Sequence, residues 1–378
     1  MKALRVITLL SAGCVAAAVM LTAQGPLGQG GGTPVSKSKK STTAEPQKQE
    51  EDLPPIPSEF KRNPTIPEEV ATFNVDATTV TVDVAVVDNK GHFLPNIPQK
   101  YFRILEDNVP QKVSDFSMGE APMTVAMVIE FSNLYQQYMS DPWYQTLQAA
   151  YGFVQTLRPD DLVAVVAYDL RPEILSDFST DRNQTQMALS RMRLPAYRET
   201  NLYDAVTMVA ERMQEIEGRK AIVLISTGVD TLSHMNYGEA RKKVQNAGVP
   251  IYSLGLMQAY RTILYQYGLI NDSQRTDLLM ADNILRTLSK ESGGMSFFPR
   301  FYGEFPDVFN SISQAMRSQY VLTYTPTNQE RDGKFRKIKV ELVDPVTNKA
   351  LRITDEKQKN IKYEIVAKSG YQAPREVE

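Results

Sequence analysis

Residues 123–132 read MTVAMVIEFS. An apolar run this long, closing on Glu130, Phe131, Ser132 and Asn133, is the pattern of a strand buried on both faces. Such strands belong to sheets with helices packed on either side. In open sheets of that kind, ligands bind where the strands emerge at their C-terminal ends. Glu130, Ser132 and Asn133 stand at that end, so one stretch sets both a fold and a face.

Working outward, the chain from Met123 to about Arg317 alternates apolar strand segments with amphipathic helical ones, which predicts βαβ units. Strands are expected at 123–131, 162–168, 172–178, 220–226, 250–256 and 294–299. Helices are expected at 142–157, 182–193, 202–216, 237–247, 278–290 and 303–318. In 202–216, Leu202, Ala205, Val206, Val209, Met213 and Ile216 share a stripe, and Gly218 is a natural stop. Asp181 and Asp277 are suited to cap two of the others. The short gap between 162–168 and 172–178 leaves no room for a helical crossover, so that pair is a hairpin. The expected fold is α/β, a doubly wound and mostly parallel sheet with one antiparallel edge strand.

The flanks have a different rhythm. In 73–118, Val80, Val82, Val84 and Val86 alternate with Thr81, Asp83 and Ala85, and Asn89-Lys90-Gly91 signals a turn. The tail repeats strand patterning in QYVLTYTP, FRKIKVELV and IKYEIVA. Neither flank alone has strands enough for independent stability. The expectation is one small antiparallel β domain built from 69–119 and 319–372, with the α/β unit of 120–318 looping out between them.

Composition bounds the rest. The 378 residues are 42% hydrophobic and 23% charged, as in a globular protein, and the formal charge is −2. That mild acidity argues against nucleic-acid binding. Lys2 and Arg5 precede the apolar run Val6 to Thr22, and Ala23 offers a cleavage position, so 1–23 reads as an export leader. Retention as an anchor and lipidation at Cys14, the only cysteine, are the alternatives; cleavage would leave no membrane insertion. Residues 24–68 are rich in Gly, Pro, Ser, Lys and Glu and read as a disordered polar tether. The expected location is periplasmic or extracellular.

The segment 123–132 is similar to the first strand of von Willebrand factor type A domains. The whole layout resembles the VWFA-related proteins described from acidobacteria, through VDVAVVDNKG (82–91), FRILEDNVPQ (102–111) and AKSGYQA (367–373). The resemblance implies a metal-ion-dependent adhesion site: an Asp-x-Ser-x-Ser loop, a Thr from a second loop and an Asp from a third around a divalent cation. Here Glu130 stands at the first Asp, Ser132 matches the first Ser and Leu134 replaces the second. Thr200 matches the Thr, and Thr227 replaces the third-loop Asp, with Asp230 and Ser233 nearby. Mg²⁺ asks for hard oxygens in octahedral array, which this set supplies poorly.

The reading is a non-enzymatic protein-interaction module with a degenerate site and no cofactor. Its partner face holds Glu130, Ser132, Asn133, Thr200, Thr227, Asp230 and Ser233. One alternative is an Mg²⁺-dependent adhesin using Glu130, Ser132 and Thr200. Another is a secreted hydrolase using Ser233, His234 and Asp230. His92 reads as a solvated turn residue, and Ser253 within Ile251–Gly255 as core rather than a nucleophile elbow. The insertion 257–276, with Tyr260, Tyr265 and Tyr267, is either an interface loop or a short packed helix. Trp143 and Tyr144 either edge the binding face or lie buried.

Overall fold

The computed structural model describes residues 79–89, 91–118, 121–133, 142–193, 195–268, 271–354 and 358–375. The leader, Cys14, the tether and Leu134 lie outside the described residues.

The first flank supplies β1 (Val80–Asp88), β2 (Phe102–Glu106), β3 (Val109–Gln111) and β4 (Val113–Met118). The α/β unit follows: β5 (Met123–Glu130), α1 (Pro142–Thr156), β6 (Leu162–Tyr168), β7 (Pro172–Ser179), α2 (Arg182–Arg191) and α3 (Leu202–Gln214). It continues with β8 (Arg219–Ser226), α4 (Tyr237–Ala247), β9 (Ile251–Gly255), α5 (Met257–Gln266), α6 (Asp272–Ser292), β10 (Ser296–Phe297) and α7 (Phe305–Arg317). The second flank gives β11 (Tyr320–Tyr324), β12 (Phe335–Leu342), β13 (Ile353–Thr354), β14 (Asn360–Ile361), β15 (Tyr363–Ala367) and β16 (Gly370–Gln372).

The six-stranded sheet runs β10-β9-β8-β5-β6-β7. β5 pairs in parallel with β6 and β8, and β7 pairs antiparallel with β6 at the edge. Every residue of β5 is buried, and alternate side chains serve opposite layers. Val125, Met127 and Ile129 join Phe153 of α1 and Phe309 and Ile312 of α7. Ala126 and Val128 join Val206 and Val209 of α3, Val244 of α4 and Leu285 of α6. Each large apolar side chain so buried contributes about 1.5–3 kcal/mol, and this is what holds the strand end that carries Glu130.

Local signals explain the starts of two helices. Asp181 caps α2 by accepting from the Asn183 N–H. Asn236 and Glu239 form a reciprocal capping box on α4. Asp277 caps nothing: α6 begins at Asp272, so Asp277 lies inside it. The expected 278–290 helix is thus longer, because its first turn is polar and adds nothing to the apolar stripe of Leu278, Ala281, Leu285 and Leu288. Much of the 257–276 insertion is α5, a packed helix with Met257 and Leu264 buried. The strand expected at 294–299 shrinks to the two residues of β10.

The flanks form two four-stranded sheets, β15-β1-β11-β4 and β16-β12-β2-β3. β1 pairs antiparallel with β11 (Val84 opposite Tyr320) and with β15 (Val84 opposite Ala367). Val80, Val82, Val84 and Val86 share one core with Ile104, Leu322, Tyr324 and Val340. Between the sheets, the buried Glu106 carboxylate accepts from Tyr324 Oη at 2.6 Å and Tyr371 Oη at 3.1 Å. β4 and β11, which lead into and out of the α/β unit, are paired neighbours.

Candidate functional site

β5 delivers Glu130 to the C-terminal edge of the sheet between the ends of β6 and β8, and there the carboxylate is enclosed. Glu130 is 3% exposed. Its Oε1 accepts from Ser132 Oγ at 2.7 Å and from Thr227 Oγ1 at 3.0 Å. Its Oε2 accepts from the Thr227 N–H at 2.8 Å, Thr227 Oγ1 at 2.8 Å and Ser226 Oγ at 3.1 Å. Behind it, Tyr168 Oη lies 2.7 Å from Ser226 Oγ, so a relay of hydroxyls runs from Tyr168 through Ser226 to the carboxylate. Burial pushes the Glu130 carboxyl above its ordinary range, and the hydrogen bonds from Thr227, Ser132 and Ser226 pull against that. Burial, with the Glu130 charge second, holds the Tyr168 phenol well above its usual value.

The second loop is stitched to the third. Thr200 is fully buried, and its hydroxyl donates to the Val229 carbonyl at 2.6 Å. The Thr200 carbonyl accepts from the N–H groups of Thr231 and Leu232. Asp230 and Ser233 face the start of α3. Ser233 Oγ accepts from the N–H groups of Tyr203 (3.1 Å) and Asp204 (3.2 Å) and donates to Asp230 Oδ1 at 2.5 Å. Asp230 Oδ1 also takes the Tyr203 N–H. Asn201, the residue before α3, makes no side-chain cap bond. Asp230 and Ser233 therefore satisfy two of the orphan donors of α3, the N–H groups of Tyr203 and Asp204, from a distant loop. Asn133 ties the first loop to the second, its N–H donating to the Tyr197 carbonyl at 2.7 Å and its amide to Ala196 at 3.2 Å.

These contacts bear on a metal. Among the described residues Glu130 is the carboxylate enclosed there, and both of its oxygens already accept protein donors. Thr227 presents an N–H and a hydroxyl where the resemblance expects an anionic ligand. No group of three or more His, Cys, Asp or Glu suited to a cation occurs among the described residues. Among the described residues, an octahedral Mg²⁺ shell would have to displace the hydrogen bonds that Glu130 accepts.

The Ser-His-Asp arrangement does not assemble. One donor and two acceptors exhaust the Ser233 hydroxyl. The His234 ring is 94% exposed and its Nδ1 sits 2.9 Å from Asp204, not against Ser233. Ser253 is buried within β9, its hydroxyl 2.7 Å from that of Ser289. His92 is exposed beside Asp88. Trp143 is buried and donates to the Met192 carbonyl at 2.8 Å, whereas Tyr144 is exposed. Tyr265 and Tyr267 are exposed near the end of α5.

Sequence reasoning missed the parts played by Tyr168 and Ser226. The available signal was position: in a parallel sheet the last residues of β6 and β8 lie beside the last residue of β5, and Glu130 is in register with Tyr168.

Comparison with known proteins agrees with this topology. The family model described as von Willebrand factor type A domain matches residues 126–229. No curated protein matches the sequence. Among solved structures, the chain is similar to the vWF domain of the type V pili tip protein Mfa5 from Porphyromonas gingivalis. There identity is 14%, the TM-score is 0.40, and 52% of this chain and 95% of that one are covered. It is also similar to BatB from Bacteroides thetaiotaomicron (15% identity, TM-score 0.39, 52% and 100% covered). A third is proximal thread matrix protein 1 from the mussel byssus (13%, 0.40, 56% and 51%), of which the chain spans about half the length.

Proposed function

We propose that this chain, which carries a von Willebrand factor type A domain at residues 126–229, is an exported, non-enzymatic module that binds a protein partner without a metal ion. Binding uses the described loops at the C-terminal strand ends, 130–133, 195–201 and 227–236. The observation that carries the reading is the closure of Glu130 by Ser132, Ser226 and Thr227, which supplies with protein donors the positive potential a cation would bring. Commitment of Ser233 to the start of α3 speaks against hydrolysis. The leader sequence supports export.

Calorimetric titration with Mg²⁺ or Mn²⁺ is expected to give no binding heat. Micromolar binding lost in Glu130→Ala would overturn the metal-free reading. A pull-down from the native cell envelope is expected to capture a protein, with capture lost in a Tyr197→Ala/Leu232→Ser variant. Capture unaffected by that variant would place binding on another face.

A further inference from the structure

We propose that a cleft between the β domain and the α/β unit binds a neutral saccharide, with Phe335 as the platform under a sugar ring and Asn108, Lys337 and Gln245 as partners for its hydroxyls. The cleft is separate from the strand-end loops: Gln245 stands near the end of α4, which feeds the N-terminal end of β9. It encloses about 480 Å³, within the usual size of small-molecule sites, about 300–1,000 Å³.

The strand register builds the floor. β12 pairs antiparallel with β2 and β16, and its side chains alternate between two faces. Arg336, Ile338 and Val340 are buried on the inner face. Phe335, Lys337 and Lys339 therefore stand on the outer face, beside Leu105, which lies opposite Lys339. Gly370 lies opposite Lys337. A side chain at Gly370 would come within 2.5 Å of the Phe335 ring, so its absence lets the ring lean across β16. Phe335 and Leu105 are half-buried and give the cleft its apolar floor, and Gln245 closes it from the α/β side.

Around this floor stand polar groups with bonding capacity to spare. The turn between β2 and β3 sets Asp107 and Asn108 at the rim, with φ of 46° and 69°. Asp107 is anchored: its N–H donates to the Lys337 carbonyl at 2.9 Å, and its Oδ1 accepts from the Lys337 N–H at 3.0 Å. The Asn108 amide and the Lys337 ammonium are exposed and have no hydrogen bond or ion pair among the described residues. Gln245 donates from Nε2 to Glu291 Oε2 at 2.8 Å, which orients its amide and leaves Oε1 to accept.

Charge and polarity select the ligand. The lining charges are Lys337, Lys339 and Asp107. Lys339 is held at 2.8 Å by Glu341, which Arg103 also holds, and Lys337 lies beside Asp107. The signs nearly balance, so neither an anion nor a cation meets a strong field there. A purely apolar ligand would bury the Asn108 and Lys337 groups without partners, at a cost. A pyranose suits both surfaces. Its C–H face packs on the electron-rich face of an aromatic ring, and its hydroxyls both donate and accept, as an amide and an ammonium at the rim require.

The test is saturation-transfer difference NMR of the full chain with maltose, cellobiose and chitobiose, with glucosamine and glucuronate as charged comparators. At least one of the neutral disaccharides is expected to receive saturation, most strongly at the C–H protons of one ring face. Phe335→Ala is expected to abolish the transfer. Asn108→Gly, which keeps the positive φ of the turn, and Lys337→Ala are each expected to weaken binding about fivefold in titrations, the usual worth of one hydrogen bond. These two side chains hold nothing in the fold, so their variants should melt with wild type and test the site independently of how Phe335→Ala folds. No transfer to any of the three disaccharides, or binding unchanged in both Asn108→Gly and Lys337→Ala, overturns the proposal. Tighter binding of glucosamine or glucuronate also overturns it, by making the cleft a site for an ion. The Tyr197→Ala/Leu232→Ser variant should bind the sugar as wild type does; loss there would move the site to the strand-end loops and refute the cleft.

Discussion

Removing the Glu130 side chain tests whether the enclosed carboxylate organises the strand-end face. In Glu130→Ala the hydroxyls of Ser132, Ser226 and Thr227 can rotate toward other acceptors, but the Thr227 N–H cannot. A buried donor left unsatisfied costs about 1–3 kcal/mol, and the space left by the side chain adds to it. Loss of a buried charge offsets part. We expect a net destabilisation of about 2–4 kcal/mol at neutral pH. Glu130→Gln keeps the shape and should cost less. The two also differ in pH dependence. An unfolded Glu titrates near about 4.3, and burial holds the folded group higher. Between those values the folded chain retains a proton that the unfolded chain has released. The contribution of Glu130 to stability therefore falls as pH rises through that interval and levels off above it. The Gln variant lacks this titration, so its stability relative to wild type should rise across the same interval. Urea unfolding can be followed through Trp143, the single tryptophan, whose ring centroid lies 5.1 Å from that of Phe131. An Ala variant within about 0.5 kcal/mol of wild type, below the usual cost of a lost buried acceptor, would refute the reasoning. A Gln variant with the wild-type pH slope would do the same.

Ser233→Ala and Asp230→Ala should each lower stability by about 1 kcal/mol in chemical denaturation, the usual cost of a lost helix cap. Their double variant should cost less than the sum, because both serve the Tyr203 N–H. Gly228→Ala should destabilise by more than about 1 kcal/mol: Gly228 has φ +79°, and an added Cβ would sit 2.5 Å from the Ala281 carbonyl oxygen. A melting point equal to wild type would show that α6 can retreat. At Asp204 burial pushes the carboxyl up, but hydrogen bonds from His234, Met235 and Asn201 outweigh it and hold the group below its ordinary value. Its contribution is present above the unfolded value and lost as pH falls through the folded one. Asp204→Asn should flatten the acid limb of the stability profile, and an unchanged limb would count against that assignment.

The α/β core was legible because its signals are local. A continuous apolar strand and the stripe of α3 need no knowledge of their neighbours. The hairpin of β6 and β7 followed from spacing alone. What was not legible depends on contacts distant in sequence. Ser233 reads as loop polarity until α3 is brought against it, and Tyr168 reads as core until the parallel register sets it beside Glu130. The first turn of α6 is not legible because its residues, Asp272-Ser273-Gln274-Arg275, are all polar. Glu130, Ser132 and Thr227 could be picked out as candidates, but that Thr227 turns its donors onto Glu130 is a property of the folded loop.

The pairing of β1 with β11 has a consequence for how the chain is made. Val84 cannot meet Tyr320 until nearly the whole α/β unit has been synthesised. At typical elongation rates that delay is on the order of tens of seconds. Throughout it, the β-branched VTVDVAVV segment is a naked edge able to stick to its like in a neighbouring nascent chain. Crowded translation of this protein should therefore be limited by how well something shields that first strand, rather than by the intrinsic speed of the unit that follows it.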